Sequence, residues 1–254
     1  MKRKYPNITS KIPPVVAIAV ILICWELACV FHVVPSYMLP SPVDVVKALV
    51  GDMPTILFHA KFTLLESFYG LLIGIALAFA FATMMDRFRI MDQAFYPIMI
   101  ITQTIPTIAI APILVLWMGF GMAPKITLVV ITTFFPITIT VYDGFQSTKR
   151  EMEELMLSFN ASKMDIFMKL KLPNALPYFF SAIKMAIPIS IIGAAIGEWL
   201  GAQSGLGYFS KRMLTQLDGA GVFAPIVLLS AVAMLIVAIV GIIERIAIPW
   251  RKEL

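Results

Sequence analysis

The sequence predicts an all-α, polytopic membrane protein with six spanning helices, and three observations carry that prediction. Mean hydropathy is +0.91 over 254 residues and only 14% of them are charged. A soluble domain needs about 25% charged residues to face water, so lipid is the main solvent of this chain. The apolar residues fall into runs of about 20 or more, enough to cross a hydrocarbon core of about 30 Å as helix. The basic residues are scattered between those runs and form no stripe interleaved with aromatics, which argues against a nucleic-acid partner despite the formal charge of +5.

The first run, near 14–34, follows the basic start MKRKYPNITSK. It is too long for a signal-peptide core, holds Trp25 and Glu26, and lacks a small-residue cleavage site, so a retained anchor is expected. Cys24 and Cys29 in this run have no His or Cys companions at metal-site spacing and read as plain packing thiols. A charged side chain at the bilayer centre costs about 2.5–3.5 kcal/mol, so Glu26 is expected to face protein or carry a proton.

The remaining spans lie near 60–84, 94–118, 124–142, 177–198 and 222–248. The second contains Gly70 and Gly74 at GxxxG spacing, and the fifth begins a row of Gly193, Gly197, Gly201 and Gly205. Such rows let helix backbones approach closely. The third, YPIMIITQTIPTIAIAPILVLWMGFG, contains Pro97, Pro106 and Pro112. Interior prolines remove helical hydrogen bonds, so this span should bend or break where protein or a cavity satisfies the freed carbonyls. Thr102, Gln103 and Thr104 add polarity just before Pro106, which suits either a translocation path or an interhelical hydrogen bond. Trp117 is either a path residue or an interfacial anchor. Glu198 and Gln203 fall near the outer mouth.

With the N-terminus inside, the inner segments hold Lys2, Arg3, Lys4, Lys11, Arg87, Arg89, Lys149, Arg150, Lys163, Lys169, Lys171, Lys184, Arg245, Arg251 and Lys252. The outer segments hold Lys47, Lys61, Lys125, Lys211 and Arg212. That asymmetry predicts that both termini are cytoplasmic. Proton coupling in the spans would require several facing carboxylates or histidines, whereas His32 and His59 lie close to the outer surface.

One charged stretch interrupts this pattern: EMEELMLSFNASKMDIFMKLKLP, Glu151 to Pro173, in the longest inner loop. Met152, Leu155, Met156 and Phe159 share one helical face. The pattern restarts after Asn160, with Ser162 and Asp165 in capping-box positions. Pro173 and Pro177 are expected to stop the helix just before the fifth span. Two short amphipathic helices meeting at Asn160 would either lie on the inner membrane surface or dock a cytosolic partner.

The segment resembles the EAA motif of ABC importer permeases, which runs Glu-Ala-Ala, three residues, Gly, nine residues, Ile or similar, any residue, Leu-Pro. Aligned on Leu172-Pro173, the motif glutamate falls on Glu154, the alanines on Leu155 and Met156, the glycine on Asn160 and the Ile position on Leu170. QTIPTIAIAPILVLWMGFG, LPNALPYFFSAIKMAIPISIIGAAIGEWLGAQSGLGY and the six-span layout are similar to the nitrate/sulfonate/taurine-type branch of that family. The resemblance covers nearly the whole chain.

The resemblance implies a type I ABC importer permease fold in one transmembrane domain, 1–254, with 151–173 as its cytoplasmic coupling segment. It implies that Glu154, Leu155, Met156, Phe159, Asn160, Leu172 and Pro173 meet a cytosolic ATPase dimer. A second permease copy as homodimer, an extracytoplasmic substrate-binding protein and a location in the bacterial inner membrane follow from the same likeness. The chain has no phosphate-binding loop, so ATP and Mg2+ belong at the partner ATPase and this subunit is not itself an enzyme. Polarity and span position, and not the resemblance, make Thr102, Gln103, Thr104, Trp117, Glu198 and Gln203 the candidate path residues. The branch handles small anions, sulfonates including taurine, and vitamin-precursor pyrimidines. None of the central spans has a Lys or Arg at depth, which favours an organic solute, here a vitamin-precursor pyrimidine such as hydroxymethylpyrimidine; a sulfonate such as taurine stands beside it, and nitrate or another small inorganic anion is the alternative. A secondary transporter is the alternative without an ATPase; it would show coupling-ion residues or an inverted repeat.

Overall fold

The computed structural model describes residues 12–31 and 33–250. His32, the basic start Lys2, Arg3, Lys4 and Lys11, and Arg251 and Lys252, all used in the sequence reading, lie outside the described residues. Among the described residues all regular structure is helical, in the order α1 Ile12–Val30, α2 Pro42–Gly51, α3 Met53–Arg87, α4 Arg89–Thr102, α5 Thr107–Met118 and α6 Ala123–Gln146. After these come α7 Arg150–Ser158, α8 Lys163–Ile166, a π-helical segment Phe167–Lys171, α9 Leu172–Gly201, α10 Leu206–Thr215 and α11 Gly219–Ala247. Among the described residues, five helices, or six with a bent pair counted as one, are long and apolar enough to cross a membrane.

Two compact units are present, residues 1–58 with 209–228 and residues 59–208 with 229–254. In the first, α1 is apolar on every side and exposes Val15, Ile18, Ile21 and Ile23, as a helix surrounded by hydrocarbon does. Its C-terminal end is tied to the following loop by Trp25 Nε1, which donates to Pro40 O at 3.0 Å, and by the Cys29 thiol, which donates to Leu39 O at 3.5 Å. Cys24 is exposed, where packing had been expected. Glu26 is half-buried and its Oε2 is enclosed without a hydrogen-bond partner. Ser41 caps α2, accepting from the Asp44 N–H at 3.1 Å, and Asp218 accepts from the Gly221 N–H at 3.0 Å at the start of α11.

The second unit is built on α6 and α9, with α3, α4 and α5 against them. Small residues set the approach of these helices. A Cβ on Gly70 would sit 2.5 Å from Val129 Cβ, and one on Gly74 would run into the Thr133 hydroxyl. From the other side, a Cβ on Gly193 would meet Thr132 Oγ1 at 3.1 Å and one on Gly197 would meet Lys125 Cγ at 3.2 Å. The two small-residue rows therefore close on the same helix, α6, from α3 and α9. Ala78, Ala82 and Met85 of α3, Ile137, Val141 and Phe145 of α6, and Ala175, Ala182 and Ala186 of α9 form the core beneath.

The third span breaks as its prolines require. Helices α4 and α5 meet at 101°, separated by Gln103–Pro106. Thr102 and Thr104 turn their hydroxyls back to Met99 O at 2.8 Å and Ile101 O at 2.7 Å, which satisfies carbonyls that lose their helical partners at the break.

The fifth span corrects one expectation. Pro173 and Pro177 do not stop the helix: it runs on from Lys163 through the π segment to Gly201, 39 residues in all. The Leu172 N–H donates to Phe167 O, five residues back, and this wider turn moves aside the carbonyl that a following proline ring would strike. Boundaries elsewhere differ from the sequence reading by a few residues, except that α3 is 35 residues against the 25 expected. At 1.5 Å per residue it is about 52 Å long and extends beyond a hydrocarbon core.

Candidate functional site

The loop between α6 and α9 is one candidate site. Helix α7 starts after Lys149 and ends at the turn Phe159–Ser162, where Asn160 adopts φ 59, a left-handed conformation that Asn tolerates better than most side chains. Ser162 then caps α8 through a full capping box: its hydroxyl accepts from the Asp165 N–H at 3.1 Å, and Asp165 accepts from the Ser162 N–H at 3.3 Å. The Asp165 carboxylate also takes the Lys169 ammonium at 2.6 Å.

The apolar residues of α7 are not covered by this chain. Met152, Leu155 and Phe159 are exposed, Phe159 by 79%, and Met156 is half-buried. Glu154 is exposed and accepts from Arg150 Nε at 2.9 Å. Leu172 and Pro173 are half-buried at the start of α9. An exposed apolar face flanked by charge, on a folded hairpin, is a surface open to a protein partner or to a membrane surface.

Sequence reasoning missed what holds this hairpin. Asp86, at the end of α3, receives Lys171 Nζ at 2.9 Å and Gln146 Nε2 at 3.0 Å, and Lys171 also reaches Glu153 at 3.5 Å. Asn174 Nδ2 donates to Ser147 Oγ at 2.9 Å. One carboxylate thus ties the ends of α3 and α6 to the π segment, and through Lys171 to α7. A cavity of about 540 Å³ lies behind, lined by Thr83, Asp86, Glu153, Leu157, Met164 and Lys171 among others.

The path candidates are distributed. Thr102, Gln103 and Thr104 occupy the α4–α5 break, where Gln103 and Thr104 are exposed. Trp117 lies at the far end of α5 and is 76% exposed. Gln203 is exposed in the turn after α9, whereas Glu198 is buried, with 1% exposure, and faces the protein interior.

Around Glu198 the structure assembles a polar cluster from four segments. Glu198 accepts from Thr63 Oγ1 at 2.7 Å and from the Gly207 N–H at 2.6 Å. Thr63 in turn accepts from the Leu206 N–H at 2.8 Å, and His59 Nδ1 accepts from the Gly205 N–H at 3.1 Å. One turn along α3, Glu66 pairs with Lys125 Nζ at 2.7 Å, with side-chain exposures of 1% and 6%. Glu66 Oε2 has no hydrogen-bond partner. Lys125 was read as an outer-loop residue, but it lies in the first turn of α6, buried. Two carboxylates and a histidine therefore do converge, which spacing along the chain could not show. Lys184 of α9 is likewise paired, with Glu244 of α11 at 2.6 Å.

Comparison with known proteins covers the same region. The family described as "Binding-protein-dependent transport system inner membrane component" matches residues 70–251. The formylaminopyrimidine transport permease protein ThiX of Halalkalibacterium halodurans is 41% identical over 254 residues, 100% of each chain. The putative aliphatic sulfonates transport permease protein SsuC of Bacillus subtilis is 28% identical, over 92% of this chain and 86% of that one. Among solved structures, an inward-facing crystal form of the MetNI methionine ABC transporter superposes with a TM-score of 0.60 at 21% identity, covering 76% of this chain and 94% of that chain. That likeness extends to the fold.

Proposed function

From the premise that the chain belongs to the family of binding-protein-dependent transport inner membrane components, and is an ABC importer permease, we propose that it passes an aminopyrimidine vitamin precursor across the cell membrane. The observation that carries the choice of solute is the 41% identity over both full lengths to a formylaminopyrimidine permease, against 28% to a sulfonate permease. The charge pattern inside the spans supports an uncharged solute over nitrate or a sulfonate. Lys125 and Lys184 are the lysines within the described spanning helices α6 and α9 that bear on this, and each is paired with a glutamate.

The chain works with a second copy of itself, a cytosolic ATPase dimer that binds ATP and Mg2+, and an extracytoplasmic solute-binding protein. Its termini are cytoplasmic, so 151–173 meets the ATPases. Phe159, Leu155 and Met156 supply apolar contact there, while Asn160 sets the turn and Glu154 adds an exposed charge on α7. Closure of the ATPases moves this segment, and the helices joined to it change access from one side to the other.

Two measurements test the reading. Cells that require the pyrimidine moiety should take up labelled formylaminopyrimidine or hydroxymethylpyrimidine only when the chain is present, with no competition from excess taurine or nitrate. Competition by taurine would overturn the solute. Glu154→Arg with Asn160→Trp should release a copurifying ATPase subunit, and retention of both ATPase and uptake would overturn the docking surface.

A further inference from the structure

We propose that Glu198 and Thr63 are positioning residues that hold the extracytoplasmic segment 203–207, and with it the start of α10, in the orientation needed to receive solute. This rests on the function and orientation proposed above. Three successive backbone N–H groups, of Gly205, Leu206 and Gly207, are caught by three side chains, His59, Thr63 and Glu198. Thr63 is the relay, since its oxygen accepts from the Leu206 N–H while its proton goes to Glu198. The N-terminal N–H groups of α10 have no partners within their own helix, and a carboxylate is the side chain that satisfies them most strongly.

The glycines record the same contact. Gly205 has φ +110, and a Cβ there would overlap the Glu198 carboxyl group; a Cβ on Gly207 would collide with Ala195 O and approach Glu198 Oε2. The Gly-Leu-Gly stretch is thus shaped to the carboxylate beneath it. Leu206, between the glycines, is fully buried, whereas Gln203 is exposed. The segment is pinned at one end and open at the other.

Thiol accessibility in sealed vesicles tests this on the full-length chain, with Cys24 and Cys29 replaced by Ala. Leu206→Cys should be protected from a membrane-impermeant maleimide when Glu198 and Thr63 are present. Glu198→Leu should raise its labelling rate by about tenfold or more, as loss of a charge-assisted hydrogen bond implies. Thr63→Val, which leaves the Glu198–Gly207 bond in place, should raise it less. Glu198→Gln keeps one acceptor oxygen for two donors and should fall between Glu198→Leu and the parent. In pyrimidine uptake, the same variants should raise the half-saturating concentration in the same order. Equal labelling within twofold in Glu198→Leu and Thr63→Val, or loss of maximal rate at unchanged half-saturation, would overturn the assignment. Gln203→Cys serves as the control for the underlying reading: labelling from the cytoplasmic side alone would overturn the orientation and leave the anchoring contact standing.

Discussion

The Lys125–Glu66 pair offers a direct test of how this fold tolerates buried charge. Replacing Lys125 by Met removes the ammonium 2.7 Å from Glu66 Oε1 and leaves a carboxylate with 1% side-chain exposure, whose Oε2 already lacks a partner. With its paired cation gone, that buried carboxylate should destabilise the protein by about 3–5 kcal/mol, the cost of an uncompensated buried ion. Glu66→Leu alone strands the ammonium and should cost a similar amount. The double variant Lys125→Met/Glu66→Leu removes both desolvation costs and replaces them with apolar contact. It should recover most of the loss, because swapping a whole buried pair for hydrophobic residues is near neutral or stabilising by about 1–4 kcal/mol. Denaturation in mixed micelles, followed by circular dichroism, gives the four corners of the cycle. The reasoning fails if Lys125→Met costs less than about 1 kcal/mol, or if the double variant loses the sum of the two single losses.

Three further outcomes follow from the geometry. Gly197→Leu should force α9 away from Lys125 on α6, where even a Cβ comes to 3.2 Å, and cost about 1–3 kcal/mol in the same denaturation assay. Asn160→Gly should leave stability within a few tenths of a kcal/mol, whereas Asn160→Val should cost about 1–2 kcal/mol for placing a branched residue at φ 59, read as faster hydrogen exchange across 156–165. Lys171→Met should free the Asp86 carboxylate from its closest cation and loosen α7, seen as increased protease nicking between 149 and 163 without loss of the spanning helices.

What the sequence reveals here is what local rules decide. The break at Gln103–Pro106 follows from where prolines fall, and the turn at Asn160 with its Ser162 cap follows from residue types that favour those conformations over a few positions. The small-residue rows announce close approach, although which helix they approach is a tertiary fact. The continuous helix through Pro173 and Pro177 was not legible, because the π segment that accommodates it depends on a one-residue change in hydrogen-bond span that no residue type signals. Nor was the cluster around Glu198. Thr63, Lys125 and Glu198 are separated by more than sixty positions each, and Lys125 looks like a loop cation until α6 is seen to begin beneath it. Asp86 likewise resembles an ordinary helix-end acid until Lys171 arrives from 85 positions away.

The uninterrupted helix from Lys163 to Gly201 has a mechanical meaning. At 1.5 Å per residue it is a strut of about 58 Å, with the capped hairpin at one end and Glu198 three residues from the other. A strut carries tilt and axial rotation from end to end with no separate relay of side chains. The π turn sets its phase: removing one residue from 167–171 would restore α-helical pairing but rotate the hairpin by about 100° about the axis, turning its exposed apolar face to another side. The extra residue works as a key in a shaft, fixing the rotational setting of the hairpin against the spanning part of the helix.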